Sequence, residues 1–154
     1  VAAAPWLAHK ASHEGVLVAE KIAGIDVSPI EGNSIAGCTF CEPQIASVGL
    51  TEEEARKKGF SFRVGKFPFI ANGKALAIGE SSGFTKTIFE SKTGELLGAH
   101  LIGPEVTELI HSFVLGKQLE GTDEDFFETI FPHPTLSETI HESVLNSSNR
   151  TIHF

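Results

Sequence analysis

Phe84-Thr85-Lys86-Thr87-Ile88-Phe89-Glu90 and Glu95-Leu96-Leu97-Gly98-Ala99-His100-Leu101-Ile102, joined by Ser91-Lys92-Thr93-Gly94, decide how this chain folds. Both flanks are rich in β-branched, aromatic and aliphatic residues, and the four residues between them carry turn chemistry. The stretch therefore predicts a hairpin. A hairpin pairs its two strands antiparallel.

Upstream, Phe60 to Phe69 reads as a further strand, and residues 38–49 as a strand interrupted by Pro43. Between them Thr51-Glu52-Glu53-Glu54 spells a helix start. The Thr51 hydroxyl can cap a backbone N–H while Glu54 reaches back, a capping box. Lys57 and Lys58 stand where the helix dipole favours cations, and Gly59 ends the helix. Downstream the pattern turns helical. Pro104 is expected to open a helix with Val106, Leu109, Ile110, Phe113 and Val114 on one face. Thr122 opens a short one carrying Phe126, Phe127 and Ile130, and Thr135 the last, with Leu136, Ile140 and Val144 four apart. At the front, Pro5 can occupy a first helical turn, Ala8 to Ile22 keep helical spacing, and Gly24 can stop the helix. Residues 25–37, rich in Gly, Ser, Pro and Asn, read as a linker. Helix, strands, then helices predict an α+β fold, an antiparallel sheet with helices packed against it. The expected organisation is 1–24 as a terminal helix, 25–37 as linker and 38–154 as the main domain.

The chain has 154 residues, enough for one compact domain, and a formal net charge of −8. That acidity argues against a nucleic-acid partner, which needs a basic stripe. No apolar run approaches the length that spans a bilayer, and no signal peptide is visible. Twelve Phe without a single Tyr point to aromatic mass that fills a core. Two Cys are too few for a disulfide scaffold, so a reducing compartment is expected. Asn146-Ser147-Ser148 and Asn149-Arg150-Thr151 match a glycosylation pattern, read here as chance in a chain without a secretion signal. The first residue is Val1, and the chain reads as a fragment.

Three groups of residues could carry chemistry. Cys38-Thr39-Phe40-Cys41 is a C-x-x-C. Zinc would need two more ligands at matching spacing, and a redox pair wants a helix N-terminus. In a strand, positions three apart face opposite ways, so the reading is two ordinary buried or half-buried thiols. Glu108-Leu109-Ile110-His111 and Glu138-Thr139-Ile140-His141 are both Glu-x-x-His, the di-iron pattern of four-helix bundles. The strand-rich middle of the chain lacks the other two helices, so exposed helix positions are expected and no metal. The third group is Pro132-His133-Pro134-Thr135-Leu136-Ser137-Glu138. A His between two prolines is held on stiff, extended backbone. Glu138, five residues on, can orient its imidazole and stabilise the imidazolium, making a general acid–base pair. Thr135 and Glu138 equally spell a capping box, which would leave His133 a surface turn residue. Spacing alone does not choose.

Phe131-Pro132-His133-Pro134-Thr135-Leu136-Ser137-Glu138 resembles the C-terminal signature of the dihydrolipoamide dehydrogenases, flavoprotein disulfide reductases. Ala46-Ser47-Val48-Gly49-Leu50-Thr51-Glu52, Asn72-Gly73-Lys74-Ala75-Leu76-Ala77, Thr93 to His100 and Gly103 to Ile110 resemble successive segments of the same interface domain. Leu7-Ala8-His9-Lys10-Ala11 resembles the helix after the family's last FAD-contacting Gly-Asp pair, which would lie just before Val1. The resemblance covers almost the whole chain. It implies that residues 1–24 are the terminal helix of an FAD-binding domain and 38–154 a C-terminal dimerisation domain. It implies a homodimer in which His133 and Glu138 of one chain complete the active site of the other, with Leu7, Ala8 and His9 as a backbone contact to FAD. The implied reaction oxidises dihydrolipoamide, carried on a lipoyl domain of a 2-oxo acid dehydrogenase complex, with electrons passing through FAD to NAD. The implied location is a bacterial cytoplasm or a mitochondrial matrix. The family's His-Pro bond is cis, so His133–Pro134 is expected to be cis.

The family's redox pair, C-x-x-x-x-C, and its G-x-G-x-x-G fingerprint are absent here. Phe131 stands where many members carry a second His. The chain alone is therefore expected to be catalytically silent and to bind neither cofactor. Two other readings are the interface domain of a glutathione-type disulfide reductase and a non-catalytic metal-binding or interaction domain. The Leu136-Ser137 filling of H-P-T-x-x-E favours lipoamide over glutathione.

Overall fold

A computed structural model describes residues 3–30 and 32–154. The element order is α1 (Ala8–Ile22), β1 (Gly37–Thr39), β2 (Gln44–Gly49), α2 (Glu52–Lys57), β3 (Phe62–Pro68), α3 (Gly73–Ile78), β4 (Phe84–Glu90), β5 (Leu96–Gly103), α4 (Val106–Gln118), α5 (Asp123–Glu128) and α6 (Glu138–Ser147). The strands form one antiparallel sheet in the order β1-β2-β5-β4-β3. The α+β expectation holds, and the β4–β5 hairpin lies near the sheet centre, with a register shift at Ile88/Phe89.

Alternation along β4 assigns the two faces. Thr85, Thr87 and Phe89 point to one, Lys86 and Ile88 to the other. Over the first face lie α4, above β2 and β5, and α6, above β3 and β4. They close a core of Ala46, Val48, Phe89, Ala99, Leu101, Val106, Ile110, Phe113, Ile140 and Val144, completed by Phe126 of α5. On the other face α2 covers Leu50, Ile88 and Leu97 with Ala55. Its capping box forms as expected, with Glu54 N–H donating to Thr51 Oγ1 and Thr51 N–H to Glu54 Oε2. Lys86 reaches Glu52 at 3.1 Å to fasten this helix to the sheet.

α6 approaches the sheet more closely than side chains would allow. A Cβ on Gly65 of β3 would lie 1.8 Å from the Ser143 carbonyl oxygen, so only glycine fits beneath the helix. Around that contact Thr85 Oγ1 donates to Thr139 Oγ1 at 3.0 Å and Thr87 Oγ1 to the Ser143 carbonyl at 3.3 Å. The buried threonines are thereby satisfied, which removes the cost of burying their hydroxyls.

Several boundaries depart from the sequence reading. Residues 38–49 are two strands, β1 and β2, folded against each other, because Pro43 falls in the turn between them. Pro5 does not open α1, which starts three residues later behind Leu7. Thr135 does not open the last helix, whose N-cap is Ser137. Helix α3 was not foreseen: Asn72 caps it, accepting from Ala75 N–H at 2.8 Å. Residues 25–30 and 32–36 carry no regular structure beyond a 3-10 turn at Gly32–Ser34, and Glu31 of the expected linker lies outside the described residues.

Candidate acid–base site

The segment from Phe131 to Ser137 is held open ahead of α6, with a cis His133–Pro134 bond. Three hydrogen bonds fix its course. Thr135 Oγ1 donates to the Pro132 carbonyl at 2.7 Å and lies 2.8 Å from Ser137 Oγ. Asn72 Nδ2 donates to the Thr135 carbonyl at 3.0 Å. Asn72 thus caps α3 with its oxygen and holds the site segment with its nitrogen while 4% exposed. The sequence reading missed this residue. The signal was present, since Asn before Gly at a helix start is a capping pattern.

His133 and Glu138 do come together. His133 Nδ1 lies 2.9 Å from Glu138 Oε1, and Glu138 Oε2 accepts from Thr135 N–H, also at 2.9 Å. The pair forms and the capping box does not, because Thr135 Oγ1 is turned to the Pro132 carbonyl; the one carboxylate orients the imidazole and ties back the loop. Burial works against ionisation of Glu138. The Thr135 N–H, the His133 hydrogen bond and the charges of His133 and His153 outweigh it, holding the carboxyl below its usual range. Glu138 is therefore ionised near neutrality and can only accept, so Nδ1 must be the donor. Nε2 is left as the nitrogen that can take a proton. The His133 side chain is 78% exposed against 23% for Glu138, so an anchored carboxylate holds an imidazole that is open to a reactant.

The remaining candidates do not join this site. Cys38 is half-buried on β1, and burial followed by the charge of Glu108 pushes its thiol up, away from reactivity. Cys41 is exposed in the turn rather than in a strand, donating to the Pro43 carbonyl at 3.1 Å. Glu108 and His111 lie exposed on α4, whereas His141 turns inward. Its Nε2 is 3.1 Å from the Phe127 carbonyl, and its ring lies against Phe127 and Phe131. Phe131 thus helps to pack His141. At the other end of the chain, Leu7 is the N-cap of α1 and makes no side-chain capping bond, Ala8 begins the helix, and His9 Nε2 is 3.0 Å from the Ala36 carbonyl.

Comparison with known proteins gives a consistent answer. The pyridine nucleotide-disulphide oxidoreductase dimerisation domain matches residues 35–144. Dihydrolipoyl dehydrogenase of Zymomonas mobilis is 57% identical over 155 residues, covering 100% of this chain and 33% of that protein. The dihydrolipoyl dehydrogenase of Rhizobium etli is 57% identical over 99% of this chain and 32% of its own length. Among solved structures, LpdA from Mycobacterium tuberculosis superposes with a TM-score of 0.84 at 28% identity, over 90% of this chain and 30% of that one. The chain spans about a third of the length of the curated relatives it matches.

Proposed function

The chain belongs to the pyridine nucleotide-disulphide oxidoreductases, as their dimerisation domain, and on that footing we propose that it supplies His133 and Glu138 as the acid–base pair of a dihydrolipoyl dehydrogenase, presented to the partner subunit of a homodimer. The observation that carries this reading is the 2.9 Å Nδ1···Oε1 pair on an imidazole that is otherwise open. In this reading residues 1–24 are the terminal helix of an FAD-binding domain, 25–37 a linker and 38–154 the interface domain. The redox disulfide and the nucleotide sites belong to other parts of the longer protein, so this segment alone is inactive.

The proposed substrate is dihydrolipoamide carried by a lipoyl domain of a 2-oxo acid dehydrogenase complex. A thiol attacks a disulfide only as its thiolate, and a free thiol, with a pKa of about 8.5, is mostly protonated near neutrality. Nε2 of His133 takes that proton. Glu138 holds the ring in the required tautomer and stabilises the imidazolium. When the proton returns to sulfur, the same pair acts as acid. Thr135 N–H and Asn72 keep the carboxylate and its loop in register, so orientation is built in before substrate arrives.

The first turn of α1 fits a flavin contact. Among the described residues its N–H groups have no side-chain acceptor, and the ring of His9 is already engaged with Ala36, leaving backbone around Leu7, Ala8 and His9 for an electron-rich edge. FAD, when bound, supplies the electron relay from the dithiol towards NAD.

The test is His133→Gln in the full-length enzyme. Turnover with dihydrolipoamide should fall about 10²–10⁴-fold, with thermal unfolding and flavin content unchanged. A variant within about twofold of the parent would remove His133 from the chemistry.

A further inference from the structure

Glu142 is a carboxylate that this chemistry leaves unused, and it is the one charged residue in the buried set among the described residues. Its side chain is 4% exposed. A carboxylate taken out of water is costly unless hydrogen bonds replace the solvent. Glu142 finds its replacements at the end of the chain. Ile152 N–H donates to Oε2 at 3.1 Å and His153 N–H to the same oxygen at 3.4 Å, while His153 Nδ1 lies 2.6 Å from Oε1.

The terminal segment is laid back along α6 to make these contacts. Asn149, at φ 57°, reverses the chain, and Arg150 N–H donates to the Leu145 carbonyl at 2.9 Å. The Arg150 guanidinium lies 4.1 Å from the centre of the Phe127 ring, Asn146 Nδ2 donates to Thr151 Oγ1 at 3.1 Å, and Phe154 meets Phe67 edge-on. Glu142 is four residues after Glu138, which puts both carboxylates on the same face of α6. A cleft of about 330 Å³ has Phe131, Glu138, His141, Glu142, Ile152 and His153 among its lining.

We propose that Glu142 is a positioning residue of the acid–base site: it clamps the C-terminal segment so that His153 lines the same cleft as Glu138. The titratable groups that line this cleft with His153 are Glu138, His141 and Glu142 on α6 and Glu128 at the end of α5, and His133 bonds Glu138. The charge of His153 adds to the influences, after burial, Thr135 and His133, that set the Glu138 carboxyl. The clamp is a property of this chain, and only its consequence for catalysis rests on the proposed function.

A double-mutant cycle on this chain tests it, reading the Glu138 carboxyl by ¹³C NMR titration and the tail by amide exchange. H153N should move the Glu138 midpoint up by about half a pH unit, with the Ile152 amide still protected. E142Q should speed exchange at Ile152 and His153 by about tenfold or more. In the E142Q background, H153N should leave the Glu138 midpoint where E142Q put it. A Glu138 midpoint indifferent to H153N, or one shifted equally in both backgrounds, would overturn the proposal. Should E142Q melt α6, H153N, whose side chain is 63% exposed, still decides by itself. If the cycle holds while His133→Gln retains turnover in the full-length enzyme, the acid–base reading fails and the clamp stands. If His133→Gln is inactive and the cycle fails, the clamp alone is lost.

Discussion

Helices α1 and α6 have similar claims to being amphipathic, yet the structure treats them differently. Of the ten residues of α6, seven are buried. Of the fifteen residues of α1, none is, and Val16, Val18 and Ile22 are exposed by 56%, 59% and 83%. α6 is seated by the core of this domain, by Gly65 beneath it and by hydrogen bonds from the Thr85 and Thr87 hydroxyls of β4. α1 is held through its His9 bond to Ala36 and by an internal Lys10–Glu14 pair at 2.7 Å. A functional group on α6 is therefore positioned by this chain alone. The backbone group proposed on α1 depends on apolar surface from elsewhere to cover its exposed stripe.

Substitutions that sharpen this contrast run from severe to nearly silent. Gly65→Ala should cost about 4 kcal/mol or more, since its Cβ meets helix backbone that cannot move aside, and urea denaturation would show it. Ile140→Ala, on the fully buried face of α6, should cost about 3 kcal/mol by the same measurement. Loss of the α2 cap in Thr51→Ala should cost about 1 kcal/mol. Val18→Ala on α1 should change stability by less than about 0.5 kcal/mol. A large effect at Val18 would mean that α1 packs onto this domain after all, and the contrast would collapse.

The site has its own acid limit. The folded-state pKa of Glu138 is depressed, so its contribution to stability is complete above the ordinary carboxylate range. It is lost as pH falls through the depressed value. Amide exchange at Thr135, whose N–H depends on that carboxylate, should accelerate only in that acid window. Acceleration already near neutrality would mean that Glu138 is not the acceptor holding the loop.

How much of this was legible in the sequence follows from the range of each interaction. The hairpin and the Thr51–Glu54 box are local, and their spacing carries them, whereas the spacing of His133 and Glu138 allows a pair or a capping box equally. Pro132 and Pro134 mark stiff backbone but give no helix start, and α6 begins behind Ser137 rather than Thr135. The bond from Asn72 to Thr135 spans sixty-three residues and depends on the sheet bringing β3 and α6 together. The Glu142–His153 contact needs the reversal at Asn149, which a sequence of small polar residues does not announce. Cys41 is exposed because Pro43 belongs to a turn between two strands, which a proline within a run of strand formers does not distinguish from an interruption of one.

Subunit complementation in the full-length enzyme tests most directly whether His133 serves a partner chain. His133→Gln subunits and subunits lacking the redox disulfide are each expected to form inactive homodimers. Mixed dimers should regain activity, because the intact disulfide of one chain faces the intact His133 of the other. Inactive mixed dimers, with association confirmed by mass, would contradict an acid–base pair shared across the interface.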